Sequence, residues 1–535
     1  MNQTQHIFAK DTRRFWGESV LSLTITAAFV FLKPIEWISR YQPQDGSLLI
    51  VAALVTGLVP VSWWIAITRV VHDERLVGDT QFWITRPYAW TNLLAAKVAF
   101  VLAFLYVPLF LAQLALLAEA GFAPLTYLPG LLYNLLLIST VIALPLAAIA
   151  SVTSSFARMT LTLVGTFVAF IAFQALTSLA SSYWTLDAHQ YRAFSAQPAL
   201  DSPISIALGV AVFAAAIVLQ YARRTVWSSR WLLIALPLLL LAVSFFSSKY
   251  EQAKINRIYS TAETAAPIQL SYSPARASYQ TASFNGSPRA QIPIKIPLAE
   301  SGVSNGFLVL IDAVRIELNA PNGLHWESQW QNSGGEKFLP GELPFSLTFW
   351  MPVAEYRKFE GTPLRVHLAL AISYAQAGKV SDMPLPWQRF SVPGFGVCSP
   401  QTGSTGELSH IIGIACVSAL RDPPLTYIRT QWSDSPCAAA PSAPEGGKLG
   451  SAWVGTLERG PAQLGISPVV EADINLSNGQ HHTERGENEP RSLCAGTPIT
   501  FTQFARIGRM QTSVDLPSFS LPKYSVTGNM ITITQ

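Results

Sequence analysis

Cysteine is missing from the first 397 residues of the chain, and charged residues are scarce throughout it. All four cysteines lie further on, so the N-terminal part can form neither a thiolate metal site nor a disulfide. Only 13% of residues are charged and 50% are hydrophobic, which is unlike an ordinary soluble domain. The net charge of +4 is small, and no RNP, zinc-finger or basic-zipper pattern is present, so nucleic-acid binding is not predicted.

Signatures of common catalytic and nucleotide-binding sites are also missing. The chain contains no G-x-x-x-x-G-K-[ST] and no H-E-x-x-H. One S-x-x-K runs from Ser520 to Lys523, but Pro522 opposes the helical turn that would bring the two side chains together. The stretch HHTERGENE, residues 481–489, is polar and unperiodic, and we interpret it as a solvated loop. We therefore predict no enzymatic activity, no metal site and no cofactor in this chain.

Long apolar runs are concentrated in residues 19–248. Because a membrane-spanning helix needs roughly 20 apolar residues, these runs predict a polytopic α-helical membrane domain. We expect about seven transmembrane helices, with six or eight as alternatives, at residues 19–37, 47–68, 98–118, 129–151, 159–181, 203–221 and 231–248.

Uncharged polar side chains occupy the interiors of these predicted spans, where ion-coupled transporters usually keep ionisable residues. They favour hydrogen bonds between helices, or alternatively a lipid-like or hydrophobic cargo. The residues are Gln113, Asn134, Ser139, Thr140, Gln174 and Thr177.

Basic residues near the span ends predict the orientation, since cytoplasmic loops are enriched in Lys and Arg. With a cytoplasmic N-terminus, the inner face receives eleven basic residues and the outer face receives three, Lys33, Arg40 and Arg192. The eleven are Lys10, Arg13, Arg14, Arg69, Arg75, Arg86, Lys97, Arg158, Arg223, Arg224 and Arg230. Seven spans then place the C-terminal half outside the cytoplasm.

Residues 1–18 do not resemble a cleaved signal peptide, because no small-residue cleavage site follows the first apolar run. Lys10, Arg13 and Arg14 share one helical face, and Phe8 and Phe15 lie roughly opposite. This pattern predicts a cytoplasmic interfacial helix, with an unstructured basic tail as the alternative.

From Lys249 onwards the sequence changes to short alternating strands separated by turn residues. AVRIEL and RVHLALAISY are the clearest strands. AVRIEL alternates apolar with charged residues, and RVHLALAISY has a large apolar residue at every second position, from Val366 to Tyr374. We predict an all-β, β-sandwich-like extracytoplasmic part made of two modules, residues 249–397 and residues 398–535 with the cysteines. Further strands are expected at 267–273, 291–297, 306–311, 346–352, 411–418, 467–476 and 523–534.

The cysteines Cys398, Cys416, Cys437 and Cys494 are even in number and confined to the predicted extracytoplasmic part. They therefore predict two disulfides, and three pairings remain open. A zinc site made by all four thiolates is the alternative, although no C-x-x-C spacing supports it.

Residues 69–97 form a long, charged and aromatic connection between two predicted spans. An acidic–basic turn is followed by a glycine step, a short amphipathic stretch, an Arg-Pro dipeptide and finally Lys97 at the next span. This order, together with the basic helix before the first span and the tail LQYARRTVWSSR, resembles the membrane subunits of type 2 ABC exporters over about residues 5–225. The resemblance implies that the connection docks a separate ATPase through Asp73, Glu74, Arg75, Gly78, Thr80, Phe82, Trp83, Arg86 and Pro87.

The same resemblance implies a second permease subunit, contact with membrane lipids and a place in the inner membrane of a bacterium. The seventh span and the large C-terminal part depart from the family pattern. Two alternatives stay open. Trp83, Tyr88 and Trp90 could form only an interfacial aromatic belt. The chain as a whole could be a non-transporting anchor that presents an extracytoplasmic β-sandwich binding module.

Overall fold

The structure is a computed structural model, and it describes most of the helical part and the main strands. The described residues are 3–39, 46–73, 89–183, 203–259, 269–272, 282–283, 291–301, 306–338, 345–392, 396–402, 411–419, 426–432, 450–455, 466–475, 495–521, 523–527 and 530–534.

The N-terminal half is helical, as its long apolar runs predict. Its helices are α1 (Gln3–Arg14), α2 (Trp16–Ser39), α3 (Gly46–His72), α4 (Trp90–Val101), α5 (Val107–Glu119), α6 (Leu128–Ile138), α7 (Leu144–Val152), α8 (Phe156–Tyr183), α9 (Pro203–Arg223) and α10 (Val226–Tyr259).

Within the described residues, five stretches are long and apolar enough to cross a membrane. Two shorter apolar helices, Phe156–Val168 and Val226–Leu240, lie where the fifth and seventh spans are predicted. The chain is thus a helical membrane domain followed by a sheet-rich domain, which confirms the predicted fold class. The five stretches are Trp16–Ile35, Ile50–His72, Trp90–Glu119, Pro124–Val152 and Ile206–Arg223.

Two spans contain widened π-helical turns, at Leu102–Tyr106 between α4 and α5 and at Ser139–Ala143 between α6 and α7. Each turn is followed two residues later by a proline, Pro108 or Pro145. Proline has no amide hydrogen, and its ring clashes with the carbonyl four residues earlier. The wider turn relieves this conflict while the helix continues across the span.

The C-terminal half consists mainly of strands, together with the short helix α11 (Val353–Phe359). The strands are β1 (Gln269–Tyr272), β2 (Ala282–Ser283), β3 (Gln291–Ser301), β4 (Phe307–Asn319), β5 (His325–Glu327), β6 (Gln331–Phe338), β7 (Phe345–Pro352), β8 (Pro363–Pro384), β9 (Phe390–Val392), β10 (Gly396–Thr402), β11 (Ile411–Ala419), β12 (Thr426–Trp432), β13 (Gly450–Gly455), β14 (Val469–Asn475), β15 (Pro498–Ser520), β16 (Lys523–Thr527) and β17 (Met530–Thr534).

The chain forms two compact units, each with many more contacts between its own residues than with the other unit. The first contains Met1–Phe173, Pro198–Val243 and Lys379–Thr502, and the second contains Gln174–Gln197, Ser244–Gly378 and Gln503–Gln535. The predicted division into two consecutive β modules stays a prediction.

In the second unit, β4 pairs antiparallel with β5, β6 and β8. Val314, Ile316 and Leu318 of β4 are buried, whereas Arg315 and Glu317 are only half-buried. The alternation predicted from AVRIEL is therefore confirmed.

Strand β8 differs from its prediction, because both of its faces are covered. Leu368 and Leu370 enter the large apolar core as expected. On the opposite face Ala369 and Ala371 are buried as well, in a cluster that includes Ile255 of α10. Small alanine side chains leave room for this helix, and this is why the second face is not solvent-exposed.

In the first unit, β9, β10, β11 and β14 form a four-stranded antiparallel sheet in the order β14-β11-β10-β9. We call this sheet, with residues 385–389 and 466–468, the cysteine lobe. Its own core contains Leu385, Val392, Cys398 and Cys416. Val417, Ile466 and Val469 instead join the apolar cluster of the membrane helices, so the lobe is packed on the helical bundle of the same unit.

Candidate functional site

A buried ion pair joins the N-terminal helix to the third span. The Lys97 ammonium nitrogen on α4 donates to Asp11 Oδ2 on α1 over 2.8 Å. The two side chains are 4% and 0% exposed. Burying an unpaired charge carries a large desolvation penalty, so each of these groups requires the other.

Asp11 is buried because of its position on α1. Ile7, Asp11 and Phe15 follow one another at four-residue intervals, so they lie on one face of a helix. All three are buried, and Phe15 packs against Phe100 of α4. The carboxylate is thus carried within the apolar stripe that faces α4, where Lys97 donates to it.

Basic residues of α1 also hold the end of α3. Arg14 Nη1 lies 2.6 Å from Asp73 Oδ1, and Lys10 Nζ lies 3.4 Å from Asp73 Oδ2. Lys10 is also 3.6 Å from Asp11 Oδ1, which is longer than a hydrogen bond. The Asp73 side chain is only 3% exposed. Asp73, where the connection to α4 begins, and Lys97, inside α4, are therefore both held by α1.

Uncharged contacts strengthen the attachment of α1 to α4. Asn92 Nδ2 donates to Gln3 Oε1 over 2.6 Å, and Thr4 lies 3.4 Å from Asn92 Oδ1. At the next turn of the interface the Phe8 and Phe104 rings stack with centroids 6.2 Å apart. Residues 3–14 are thus a packed helix, which agrees with the predicted helix and not with an unstructured tail.

The same end of α3 contacts the break between α7 and α8. His72 Nε2 lies 3.1 Å from the Ala150 carbonyl oxygen and 3.2 Å from Thr153 Oγ1. Arg230 of α10 donates to the Val152 carbonyl oxygen over 3.1 Å. Movement at the end of α3 would therefore reach α7 and α10 as well as α1.

Of the predicted docking residues, only Asp73 is among the described ones. Glu74, Arg75, Gly78, Thr80, Phe82, Trp83, Arg86 and Pro87 lie outside the described residues. Sequence reasoning identified Lys97 but missed Asp11. The sequence signal that could have revealed Asp11 is its position between Ile7 and Phe15, two apolar residues at helical spacing.

At the other end of the bundle, the cysteine lobe contacts α5. Buried Gln113 donates through Nε2 to the Ile466 carbonyl oxygen over 3.0 Å. Arg389 donates to the Glu119 carbonyl oxygen over 3.2 Å, and its Nη1 lies 3.4 Å from Glu119 Oε1. Gln113 was expected either to bond another helix or to face a cargo. Its observed partner is a loop of the lobe.

Cys398 and Cys416 lie directly opposite each other on β10 and β11 and form a disulfide. Because two thiols are already joined, zinc cannot be bound by all four, and that alternative is excluded. Cys437 and Cys494 lie outside the described residues, as does the predicted loop 481–489. Within the described part of the chain, no three His, Cys, Asp or Glu residues are arranged to hold a metal ion.

A polar cluster in the second unit attaches the end of α10 to the sheet. Tyr259 Oη donates to Asp312 Oδ2 over 2.7 Å, and the Ser373 hydroxyl also donates to this oxygen. The Arg509 guanidinium carbon lies 6.0 Å from the centroid of the Tyr259 ring. Burial, and secondarily the negative charge of Asp312, raises the pKa of Tyr259 well above its ordinary value. The cluster lacks a solvent-facing nucleophile–base pair, and we interpret it as a structural attachment.

The chain matches no model of a known protein family, and it matches no curated protein either.

Proposed function

We propose that this chain is the membrane-spanning permease subunit of an ABC-type exporter, which docks a separate cytoplasmic ATPase through residues 69–97. One observation carries the proposal. The segment between α3 and α4 begins at Asp73 and continues into α4, which contains Lys97, and charges on α1 hold both residues. A force applied to this segment would act on α1, α3 and α4 together.

Such an arrangement suits a docking element. Closure of a soluble ATPase produces motion outside the membrane, and a rigid attachment is needed to convey that motion into the spans. The buried pair Lys97–Asp11 and the contact between Asp73 and Arg14 supply the attachment. Phe82 and Trp83 would provide apolar anchors, with charges around them that set orientation. The chain itself has no phosphate-binding loop, so the partner hydrolyses ATP.

A second permease subunit would pack on α8. Leu161, Val164 and Phe167 are 73%, 54% and 64% exposed. Gly165 lies between them, and among the described residues no atom is within 4 Å of the position that a Cβ would take. Small residues allow close approach of membrane helices, so this face fits a helix of another subunit.

The lobe and its disulfide support an extracytoplasmic position for the C-terminal half, because disulfides persist in oxidising compartments. This orientation places α1 and residues 69–97 in the cytoplasm of a bacterium whose inner membrane the chain spans. Labelling of spheroplasts with a membrane-impermeant maleimide tests it. Leu324→Cys should react in intact spheroplasts and Trp227→Cys only after permeabilisation. The reverse pattern would contradict the orientation.

Purification of the tagged full chain from native membranes tests the proposal. We expect an ATPase subunit with a phosphate-binding loop to be recovered with it, and its recovery to fall strongly in Phe82→Ala/Trp83→Ala and in Glu74→Ala. Trp227→Ala is the matched control, since Trp227 is an aromatic residue that is 71% exposed outside the segment. If no ATPase is recovered from native membranes, the non-transporting anchor is favoured. If recovery is equal in all variants, docking through residues 69–97 is contradicted.

A further inference from the structure

A groove of about 560 Å³ lies within the first unit, between α3, α4, α6, α7, α9 and the two π-helical turns. Its lining is dominated by leucine, valine, isoleucine and alanine side chains. The helices that border it belong to four of the membrane-capable stretches. Small-molecule sites typically have volumes of about 300–1,000 Å³, so the groove is large enough for a ligand.

Polar groups in the groove already have partners. Tyr106 Oη donates to Ser139 Oγ over 2.6 Å, and Ser139 Oγ donates to the Leu135 carbonyl oxygen over 2.7 Å. At one end Lys97 is bonded to Asp11, so its charge is balanced. A ligand in the groove therefore meets apolar surface and needs no charge of its own, and a polar ligand would lose hydration without compensation.

The groove is open to the side of the bundle. Val98 and Leu102 on one wall are each 49% exposed, and Val218 on the facing wall is 41% exposed. In a multi-pass membrane protein this opening faces lipid. The walls are formed almost entirely by aliphatic side chains. The groove thus suits an aliphatic chain that enters from the lipid.

We infer that this groove binds one acyl chain of a bilayer phospholipid, with the chain lying along α4 and α9. The inference rests on the membrane-spanning helices and is independent of any ATPase partner, so it is tested on the purified chain alone.

Photocross-linking in nanodiscs provides the test. The full chain is reconstituted in phosphatidylcholine that contains a fraction bearing a diazirine on one acyl chain, and labelled peptides are identified by mass spectrometry. We expect label to be concentrated in residues 94–106, 132–147 and 214–221. Val218→Trp fills the groove from an exposed position and should lower this labelling about tenfold, which corresponds to roughly 1.4 kcal/mol.

Two further variants make the result specific. Leu102→Trp fills the groove from the opposite wall and should give the same loss as Val218→Trp. Val51→Trp is the matched control, because Val51 is 44% exposed and does not line the groove, and it should leave the labelling unchanged.

Because the Lys97 charge is balanced, phosphatidylglycerol should label the groove as well as phosphatidylcholine does. Labelling spread evenly over exposed apolar positions would overturn the inference, since it would indicate ordinary boundary lipid. Labelling by phosphatidylglycerol but not by phosphatidylcholine would also overturn the inference. Formation of an oxidised dimer by Val218→Cys would do the same, since it would place a second copy of the chain at the groove.

Discussion

The Lys97 ammonium group on α4 lies 2.8 Å from the Asp11 carboxylate on α1, across 86 residues of chain, and both side chains are buried. Removing one partner of a buried ion pair leaves an uncompensated charge and typically destabilises a protein by about 3–5 kcal/mol. We expect losses of this size in the free energy of unfolding for Asp11→Leu and for Lys97→Met, measured by denaturant unfolding of the purified chain.

The double variant Asp11→Leu/Lys97→Met separates pairing from packing. Apolar replacements of a buried pair are often neutral or stabilising, so the double variant should recover most of the loss. Glu18→Gln is the control, because it removes the more exposed contact of Glu18 with Arg69 and should change stability by about 0–1 kcal/mol. Additive losses in the double variant would show that the pair itself contributes nothing.

Gly396 is required where the cysteine lobe meets the helices. Its φ is +107°, and a Cβ added there would lie 2.2 Å from the Val417 carbonyl oxygen and 2.7 Å from the Phe122 ring. Gly496 has a similar φ of +86°, but among the described residues no atom lies within 4 Å of its added Cβ. Both alanine variants incur backbone strain, and only Gly396→Ala adds a steric clash.

We therefore expect Gly396→Ala to be less stable than Gly496→Ala by at least about 1–3 kcal/mol. Thermal unfolding of the two purified variants measures the difference. Equal melting temperatures would mean that Phe122 and β11 do not approach Gly396 as closely as described.

Local patterns were sufficient for the helices and for β4. Residues 3–14 carry an amphipathic helical pattern, and AVRIEL alternates as a half-buried strand does. The partner of Lys97 could not be read from the sequence in the same way, because Asp11 is distant in the chain and contacts Lys97 only after α1 packs on α4. A carboxylate between Ile7 and Phe15 shows that a buried polar group exists, but it does not identify the partner.

Long-range packing also explains the other differences. The second face of β8 is covered by α10, a helix that begins more than a hundred residues earlier in the sequence. Gln113 donates a hydrogen bond to the Ile466 carbonyl oxygen, which belongs to a loop 353 residues further along the chain. Periodicity describes which side of an element is apolar, and it contains no information on which distant segment will cover that side.

The disulfide Cys398–Cys416 closes a loop of 18 residues. In the chain-entropy account, a loop of this size restricts the unfolded chain by about 3 kcal/mol. We expect Cys398→Ser/Cys416→Ser to lower the free energy of unfolding by about this amount. The Cys398–Cys416 bond is compatible with only one of the three predicted pairings. In that pairing Cys437 is bonded to Cys494. Peptide mapping without reductant measures both bonds, and a Cys398–Cys437 or Cys398–Cys494 peptide would contradict the structure.

Alkaline pH should weaken the second unit through its buried tyrosines. Burial raises the pKa of Tyr374 to about 12, and burial with the nearby Asp312 charge raises the pKa of Tyr259 further. In the unfolded chain both phenols titrate near pH 10. Between pH 10 and 12 the folded state therefore holds protons that the unfolded state has released. By linkage, stability is fully present below pH 10 and falls as the pH rises through this window.

Phenylalanine variants identify the tyrosines as the cause. Tyr259→Phe loses its hydrogen bond to Asp312 and should be less stable at pH 8 by about 1–3 kcal/mol. Its stability should then decline less between pH 10 and 12 than that of the wild-type chain, and Tyr259→Phe/Tyr374→Phe should have the flattest profile. Denaturant unfolding followed across this pH range measures each slope. A double variant that declines as steeply as the wild type would assign the alkaline loss to groups other than these two phenols.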